Sequence, residues 1–335
     1  MAIGAGAIPN GRARAGTTPR EVAWTRNKTT LYRYLPSRPR RHRTPVLLVY
    51  ALINRPYVFD LLPGRSFVRH LLDEGYEVYL LDWGRPGWED RGVGLDELID
   101  EHLPDAVERM AAGAGAGGEY TILGYCMGGT MAAVHAALRP EGLRNLIALT
   151  TPVDFADPGP AAAWMDPRHL DATALAGSLG NISPSLVDLA TKMLRPVANA
   201  VDAQLVLRER IARGDDLTFW RAVDQWVNDA VPFSGAAFVQ WVGDFYQQNL
   251  LVRDALTVAG RSVRLSEITA ALLAIAGSRD HLVPPQMARP LVDLVASPDR
   301  RYLELPAGHV GILVGSGART DLWPEVTDWL DARSD

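Results

Sequence analysis

One cysteine, Cys126, stands in a chain of 335 residues. That excludes an intramolecular disulfide framework and any metal site built on cysteines. Long apolar runs are also missing. No stretch of about 18 apolar residues occurs, the length a membrane-spanning helix needs. The start, Met1 to Ile8, is small and apolar but lacks the basic region and long apolar core of a secretory signal, so the expected location is the cytoplasm. Neither sign of charge dominates. With 34 Lys and Arg against 39 Asp and Glu, the net charge is −5, which argues against nucleic acid as a partner. The one basic run, Arg38 to Arg43, reads as a solvated loop. What remains is an ordinary globular composition, 47% hydrophobic and 22% charged, large enough for one domain or a core with an insertion.

Residues 1 to about 20 are Gly, Ala, Arg, Pro and Thr without periodicity, and are expected to form a mobile arm. Glu21 to Leu35 has room for one or two short strands. Pro45 to Tyr50, Glu77 to Trp83, Tyr120 to Tyr125, Leu143 to Thr150, Ala271 to Ser278 and Arg301 to Leu305 are short apolar runs of the kind buried in a parallel sheet. Helical patterns separate them: Ser66 to Glu74, Gly94 to Ala112, Thr130 to Leu138, Met287 to Val295 and a closing Leu322 to Ala332. This alternation predicts an α/β fold with a mainly parallel sheet and helices on both faces. The rhythm breaks between Asp154 and Gly260. That segment has helical patterns and many large aromatics but no long buried strand, and is expected to be a helical cap. The expected organisation is therefore an arm over 1–20, a core over 21–153 and 261–335, and a cap over 154–260.

The stretch from Tyr120 to Leu138 is a strand, then Gly124-Tyr125-Cys126-Met127-Gly128-Gly129, then an alanine-rich helix. This is the context of a nucleophile elbow, with Cys126 where a serine hydrolase carries Ser. Gly124 and Gly128 would let the strained turn close, and the helix N-terminus favours a thiolate. Asp280 and His309 follow later predicted strands. Nucleophile, acid, histidine is the chain order of α/β-hydrolase triads. His309 would take the thiol proton, and Asp280 would orient the imidazole. Taken singly, Cys126 could be a buried small hydrophobe, Asp280 a turn cap and His309 a strand-end histidine. The oxyanion hole is expected at the backbone N–H groups of Met127 and Ile53. Asn54, Tyr125 and His281 are candidate substrate-binding residues, although His281 could simply cap its turn. No metal site is expected.

Gly124-Tyr125-Cys126-Met127-Gly128-Gly129-Thr130 resembles the lipase-like box of polyhydroxyalkanoate synthases, in which Cys replaces Ser. Val49 to Tyr57, Asp60-Leu61, Leu81 to Gly84, Thr151 to Phe155, Lys192 to Pro196, Asp244 to Asn249, Ser278 to His281 and Gly308 to Val310 resemble further motifs of that family. The likeness runs from about Val22 to the C-terminus. The length is similar to the short-subunit synthases of classes III and IV, with the Tyr-Cys-Met and Phe-Tyr-Gln-Gln-Asn wording leaning to class IV. The extra N-terminal domain of the longer synthases is not expected.

The resemblance implies an α/β-hydrolase fold and a reaction in which (R)-3-hydroxyacyl-CoA acylates Cys126 and CoA leaves. The hydroxyl of a second acyl unit then extends a growing polyester chain. It implies that the carboxylate matching Asp280 helps activate that hydroxyl, acting with the histidine. No cofactor is implied, the CoA thioester being a substrate. A small accessory subunit, a homodimer and a location at polyester granules are implied too. Two other readings stand beside this one. A cysteine esterase or thioesterase of the same fold would release CoA without polymer. A non-catalytic granule-coating homologue would require a defective triad, and none is visible.

Overall fold

Buried aliphatic runs decide the architecture. In the computed structural model, which describes residues 15–115, 117–193, 211 and 213–334, eight strands form one sheet. They are β1 (Arg20–Arg26), β2 (Thr29–Tyr34), β3 (Val46–Val49), β4 (Val78–Asp82), β5 (Tyr120–Tyr125), β6 (Leu143–Leu149), β7 (Ala271–Gly277) and β8 (Arg300–Leu305). Their order across the sheet is β1-β2-β4-β3-β5-β6-β7-β8. β1 and β2 form an antiparallel hairpin on one edge, and β2 pairs antiparallel with β4. From β4 to β8 every pairing is parallel. All residues of β3, β4 and β5 are buried, as expected where helices cover both faces.

The helices follow local chemistry. Helix α1 (Phe67–Asp73) begins at Ser66, whose hydroxyl accepts the Arg69 N–H at 2.9 Å, and buries Phe67, Val68, Leu71 and Leu72. The next helical run, Leu95 to Ala114, is interrupted by a wide π turn over Leu98–His102 before α2 (Leu103–Ala114). Pro104 has no N–H to offer the Asp100 carbonyl, and the Arg139 guanidinium takes that carbonyl at 3.3 Å instead. α3 (Met127–Leu138) follows Cys126 directly and is almost wholly buried.

Several expectations need correction. The single helix over Met287 to Val295 is two short ones, Pro285–Ala288 and Pro290–Leu294, because Pro290 cannot continue the hydrogen-bond ladder. The arm over 1–20 is cut short at its inner end. The Gly16 N–H bonds the Asp60 carbonyl, and Thr18 donates its N–H and hydroxyl to the Asp60 carboxylate at 2.9 and 2.7 Å. Residues 1–14 lie outside the described residues, as do Leu194, Arg195 and Pro196 of the Lys192 to Pro196 motif.

Between β6 and β7 lie helices Ala172–Leu179, Pro184–Met193, Thr218–Asn228 and Gly235–Gln240, the last running into a π turn over Trp241–Gln247. The only strands there, among the described residues, are the two-residue pair Thr257–Val258 and Arg261–Ser262. Trp226, Phe233, Phe238, Trp241 and Phe245 are buried, whereas Trp164 is half exposed. Polar ties fasten this region to the loops that follow β3 and β4 and to the start of the next helical run. Trp226 Nε1 donates to the Arg55 carbonyl at 2.8 Å, and the Val231 N–H to the Ile53 carbonyl at 3.2 Å. Gln240 Oε1 accepts the Leu95 N–H, and Asn181 Nδ2 bonds the Gly87 carbonyl.

Candidate active site

Every chemically capable residue of the site sits at the carboxyl edge of the sheet. Cys126 follows β5 with φ 57° and ψ −129°, a conformation that costs a non-glycine residue energy and persists only where the surroundings enforce it. The enforcement is visible. The Cys126 N–H bonds the Leu149 carbonyl at 3.0 Å, and its own carbonyl accepts the Gly129 and Thr130 N–H groups at 2.9 and 3.3 Å. The flanking glycines leave no room for side chains. A Cβ on Gly124 would lie 2.4 Å from the Gly129 Cα, and one on Gly128 would lie 2.4 Å from the Val49 carbonyl oxygen. One on Gly129 would meet Thr151 Oγ1 at 1.8 Å. Met127 is the first residue of α3, so its N–H has no carbonyl partner within the helix.

β7 and β8 bring in the other two residues. Beyond the last pair of the β7–β8 ladder, Gly277 with Leu305, the two exit loops bond each other. The Ser278 N–H reaches the Leu305 carbonyl and the Arg279 N–H the Ala307 carbonyl. This docking sets Asp280 beside His309, which opens the short helix His309–Val314. His309 Nδ1 and Asp280 Oδ2 are 2.6 Å apart, and both residues are buried. Asp280 Oδ1 accepts the N–H groups of Leu282 and Val283 at 2.9 and 3.0 Å. Both oxygens of the carboxylate are therefore engaged. Nε2 is the ring nitrogen left for Cys126.

Electrostatics favour a charged ring. Burial alone lowers the His309 pKa, but the charges of Asp280 and then Cys126 outweigh it and raise it from 6.5 to about 10. Three buried tyrosines feel the Cys126 charge and stay neutral. Burial, and after it the Cys126 charge, pushes the Tyr50 and Tyr246 phenols well above their ordinary value. Tyr125 is raised by burial first, then by Tyr50, Cys126 and Asp280.

The other sequence candidates are placed as follows. Ile53 is in the loop after β3, where its carbonyl is held by the Val231 N–H. Asn54 Oδ1 accepts the Arg55 N–H at 2.6 Å within that loop. Tyr125 is wholly buried and donates its hydroxyl to the His309 carbonyl at 2.8 Å. Its ring lies 5.3 Å from that of His309, which it supports through the same hydroxyl. His281 is partly buried, and its Nδ1 has no hydrogen-bond partner among the described residues. Sequence reasoning missed Tyr50 and Tyr246. Tyr50 lies in the Val49 to Tyr57 motif but is not singled out there; its ring packs 5.1 Å from Tyr125 and 6.2 Å from Trp226. Tyr246 lies more than a hundred residues from Cys126, so only folding reveals the proximity.

A buried thiol at a strained elbow, an imidazole held by a carboxylate and free helix N–H groups can together carry acyl transfer through a covalent intermediate. Comparison with known proteins narrows the field. The family model for the alpha/beta hydrolase fold matches residues 44–316. That for the poly-beta-hydroxybutyrate polymerase (PhaC) N-terminus matches residues 10–71. Poly(3-hydroxyalkanoate) polymerase subunit PhaC of Haloferax mediterranei is 36% identical over 96% of this chain and 65% of its own length. That of Allochromatium vinosum is 33% identical over 95% of this chain and 90% of its own. Among solved structures, a monoacylglycerol lipase of Paleococcus ferrophilus superposes with a TM-score of 0.56 at 20% identity, covering 90% of this chain and 98% of its own. A thermophilic esterase from Thermogutta terrifontis gives 0.57 at 16%, covering 94% and 99%. At such identities these two report the fold alone.

Proposed function

The chain belongs to the poly(3-hydroxyalkanoate) polymerase family, on the α/β-hydrolase fold, and from that premise we propose the course of its reaction and the residues that carry it. The substrate is an (R)-3-hydroxyacyl-CoA, with the 3-hydroxybutyryl thioester as the expected unit. Cys126 attacks the acyl carbonyl as a thiolate. The new carbon–sulfur bond to Cys126 forms, the bond to CoA breaks, and the departing CoA thiolate takes the proton of His309. The now neutral imidazole then takes the proton of the 3-hydroxyl on a second acyl unit. Its oxygen attacks the Cys126 thioester, an ester bond forms, and the Cys126 thiolate leaves opposite a recharged His309. The proton inventory closes after one added unit.

Asp280 stabilises both charged states of the ring through the 2.6 Å contact with Nδ1. The backbone N–H of Met127, with one from the Ile53 loop, serves the oxyanion in each half-reaction. No metal or redox cofactor enters the scheme, because the CoA thioester supplies the leaving group. We extend the proposal to a small accessory subunit, a dimer of this chain and attachment to the polyester granule in the cytoplasm.

The observation that carries the reading is the placement of Cys126, and not Ser, at the elbow of a chain matched over 95% of its length by a polymerase subunit. A thioester is activated enough for an alcohol to attack once water is kept away. The alternative is a cysteine thioesterase, which the lipase and esterase fold would equally house. The test is CoA release from (R)-3-hydroxybutyryl-CoA by the purified chain and by Cys126→Ala, with and without a candidate small subunit, with polyester and free acid both assayed. Polymer made by the wild type and lost in Cys126→Ala is expected. Free hydroxy acid alone would overturn the polymerase reading.

A further inference from the structure

The chain leaves the sheet for its helical region at Asp154 and Phe155, and approaches its return at Asn249. These points are far apart in sequence, yet one side chain joins them. Asn249 Oδ1 accepts the Phe155 N–H at 3.0 Å, and its Nδ2 donates to Asp154 Oδ1 at 2.8 Å. The orientation of the amide is fixed by chemistry, since the reverse would set oxygen against a carboxylate and NH₂ against N–H. Asp154 is itself anchored. Its N–H and that of Val153 bond the Met287 carbonyl, and its Oδ1 also takes the Ala156 N–H at 3.0 Å. Asn249 sits at φ 50°, a left-handed conformation that Asn tolerates better than most residues. Its N–H closes the π turn on the Phe245 carbonyl. A residue in an unfavourable conformation that spends both ends of its side chain on the opposite segment is a built clamp.

The clamp holds rings. Phe155 packs against Trp241 at 5.7 Å, Phe245 at 5.7 Å and Tyr246 at 4.8 Å, all in edge-on geometry. Trp241 lies 4.8 Å from Phe245. Phe155 comes from one side of the clamp and the other three from the other, so the cluster exists only while the two segments stay in register. The Phe155 side of the cluster continues from a stretch packed on the elbow helix, where Thr130 Oγ1 donates to the Pro152 carbonyl at 2.7 Å and Thr151 lies against Gly129, and Tyr246 is the member that feels the Cys126 charge.

We propose that Asn249 is a positioning residue of the reaction: by joining Asp154 and Phe155 to the end of the π turn, it holds the Phe155–Trp241–Tyr246 wall beside Cys126 and sets how the acyl thioester divides between a hydroxyl and water. The proposal rests on the polymerase reading above. Loosening the wall admits water to the thioester, so acid is released at the expense of polymer.

The test is the ratio of free 3-hydroxybutyrate to polyester made by the full chain from (R)-3-hydroxybutyryl-CoA. Asn249→Asp keeps the shape and the tolerance of positive φ, but sets a second carboxylate against Asp154. It is expected to raise the acid share on the order of tenfold, the scale that a sub-ångström displacement near reacting atoms produces. The double variant Asp154→Asn with Asn249→Asp restores complementarity. The new carboxylate still accepts the Phe155 N–H, and the new amide donates back to it with its NH₂ in the place of Oδ1, at the loss of the Ala156 N–H bond that the same oxygen accepted. Its ratio should return most of the way to the wild-type value; a merely structural role would lower both products together and leave the ratio unmoved throughout. An unchanged ratio in Asn249→Asp, or no recovery in the double variant, overturns the proposal. Should Asn249→Asp fail to fold, Asn249→Gly, which accepts the positive φ and lacks the amide, is read by the same ratio. The wild-type product decides the polymerase reading separately, since acid without polymer there would remove it whatever the variants do.

Discussion

Gly128→Ala offers a sharp test of how the site is held. The added methyl would lie 2.4 Å from the Val49 carbonyl oxygen and 2.6 Å from that of Tyr50. Ordinary contact begins near 3.4 Å, so α3 and the end of β3 must separate by about 1 Å, in a core packed too densely to absorb it locally. Both obstructing atoms are backbone, and no rotamer change relieves them. The displacement also falls on the pair of elements expected to supply the two oxyanion donors. Overpacking of this kind costs about 1–3 kcal/mol of stability, a drop of several degrees in Tm. A shift of about 1 Å between catalytic elements costs on the order of a hundredfold in rate. The assay is CoA release from (R)-3-hydroxybutyryl-CoA alongside a thermal melt. Gly129→Ala is the companion, because the nearest atoms to its methyl belong to the Thr151 side chain, with Oγ1 at 1.8 Å. Combining it with Thr151→Gly should recover much of the loss, whereas no single side-chain change should rescue Gly128→Ala. A Gly128→Ala enzyme with wild-type rate and Tm would refute the argument that the elbow is closed by backbone contact.

Two further outcomes follow from the histidine. Tyr125→Phe removes the hydroxyl that donates to the His309 carbonyl at 2.8 Å and leaves a buried acceptor unpaired. A loss of about 1–2 kcal/mol in stability is expected, read by denaturant unfolding, together with a lower kcat for CoA release. The His309 pKa is raised from 6.5 to about 10 in the fold. Its contribution to stability is therefore complete below about pH 6.5 and fades as pH rises through 10. The Tm advantage of the wild type over His309→Gln should shrink steadily over that window; a constant gap would show that the ring is not held charged.

Much of the fold was legible in the chain. Runs such as Val46–Val49 and Ala271–Gly277 are apolar throughout because both faces of the sheet are covered, and that leaves a mark in the sequence. The Ser66 cap and the apolar face of α1 are local signals of the same kind. Local breaks were harder. Pro104 widens a helix and Pro290 splits one, and whether a proline bends or ends a helix depends on what satisfies the freed carbonyl. For Pro104 the answer is Arg139, thirty-five residues away along the chain.

The sequence by itself determined the elements, their alternation and the chemical identity of the elbow residue. Backbone propensity, hydrophobic period and the glycines around Cys126 act over a few residues and are written where they act. Only the tertiary structure decided which side chains meet. It set Asp280 against His309 at 2.6 Å, joined the Tyr125 hydroxyl to the His309 carbonyl, and tied Asn54 Oδ1 to the Arg55 N–H. It also brought Tyr50, Tyr246 and the Asn249 clamp into the neighbourhood of one sulfur. Those contacts join segments far apart in the chain, and their register is fixed by packing across the whole sheet and the helices over it, which no local pattern encodes.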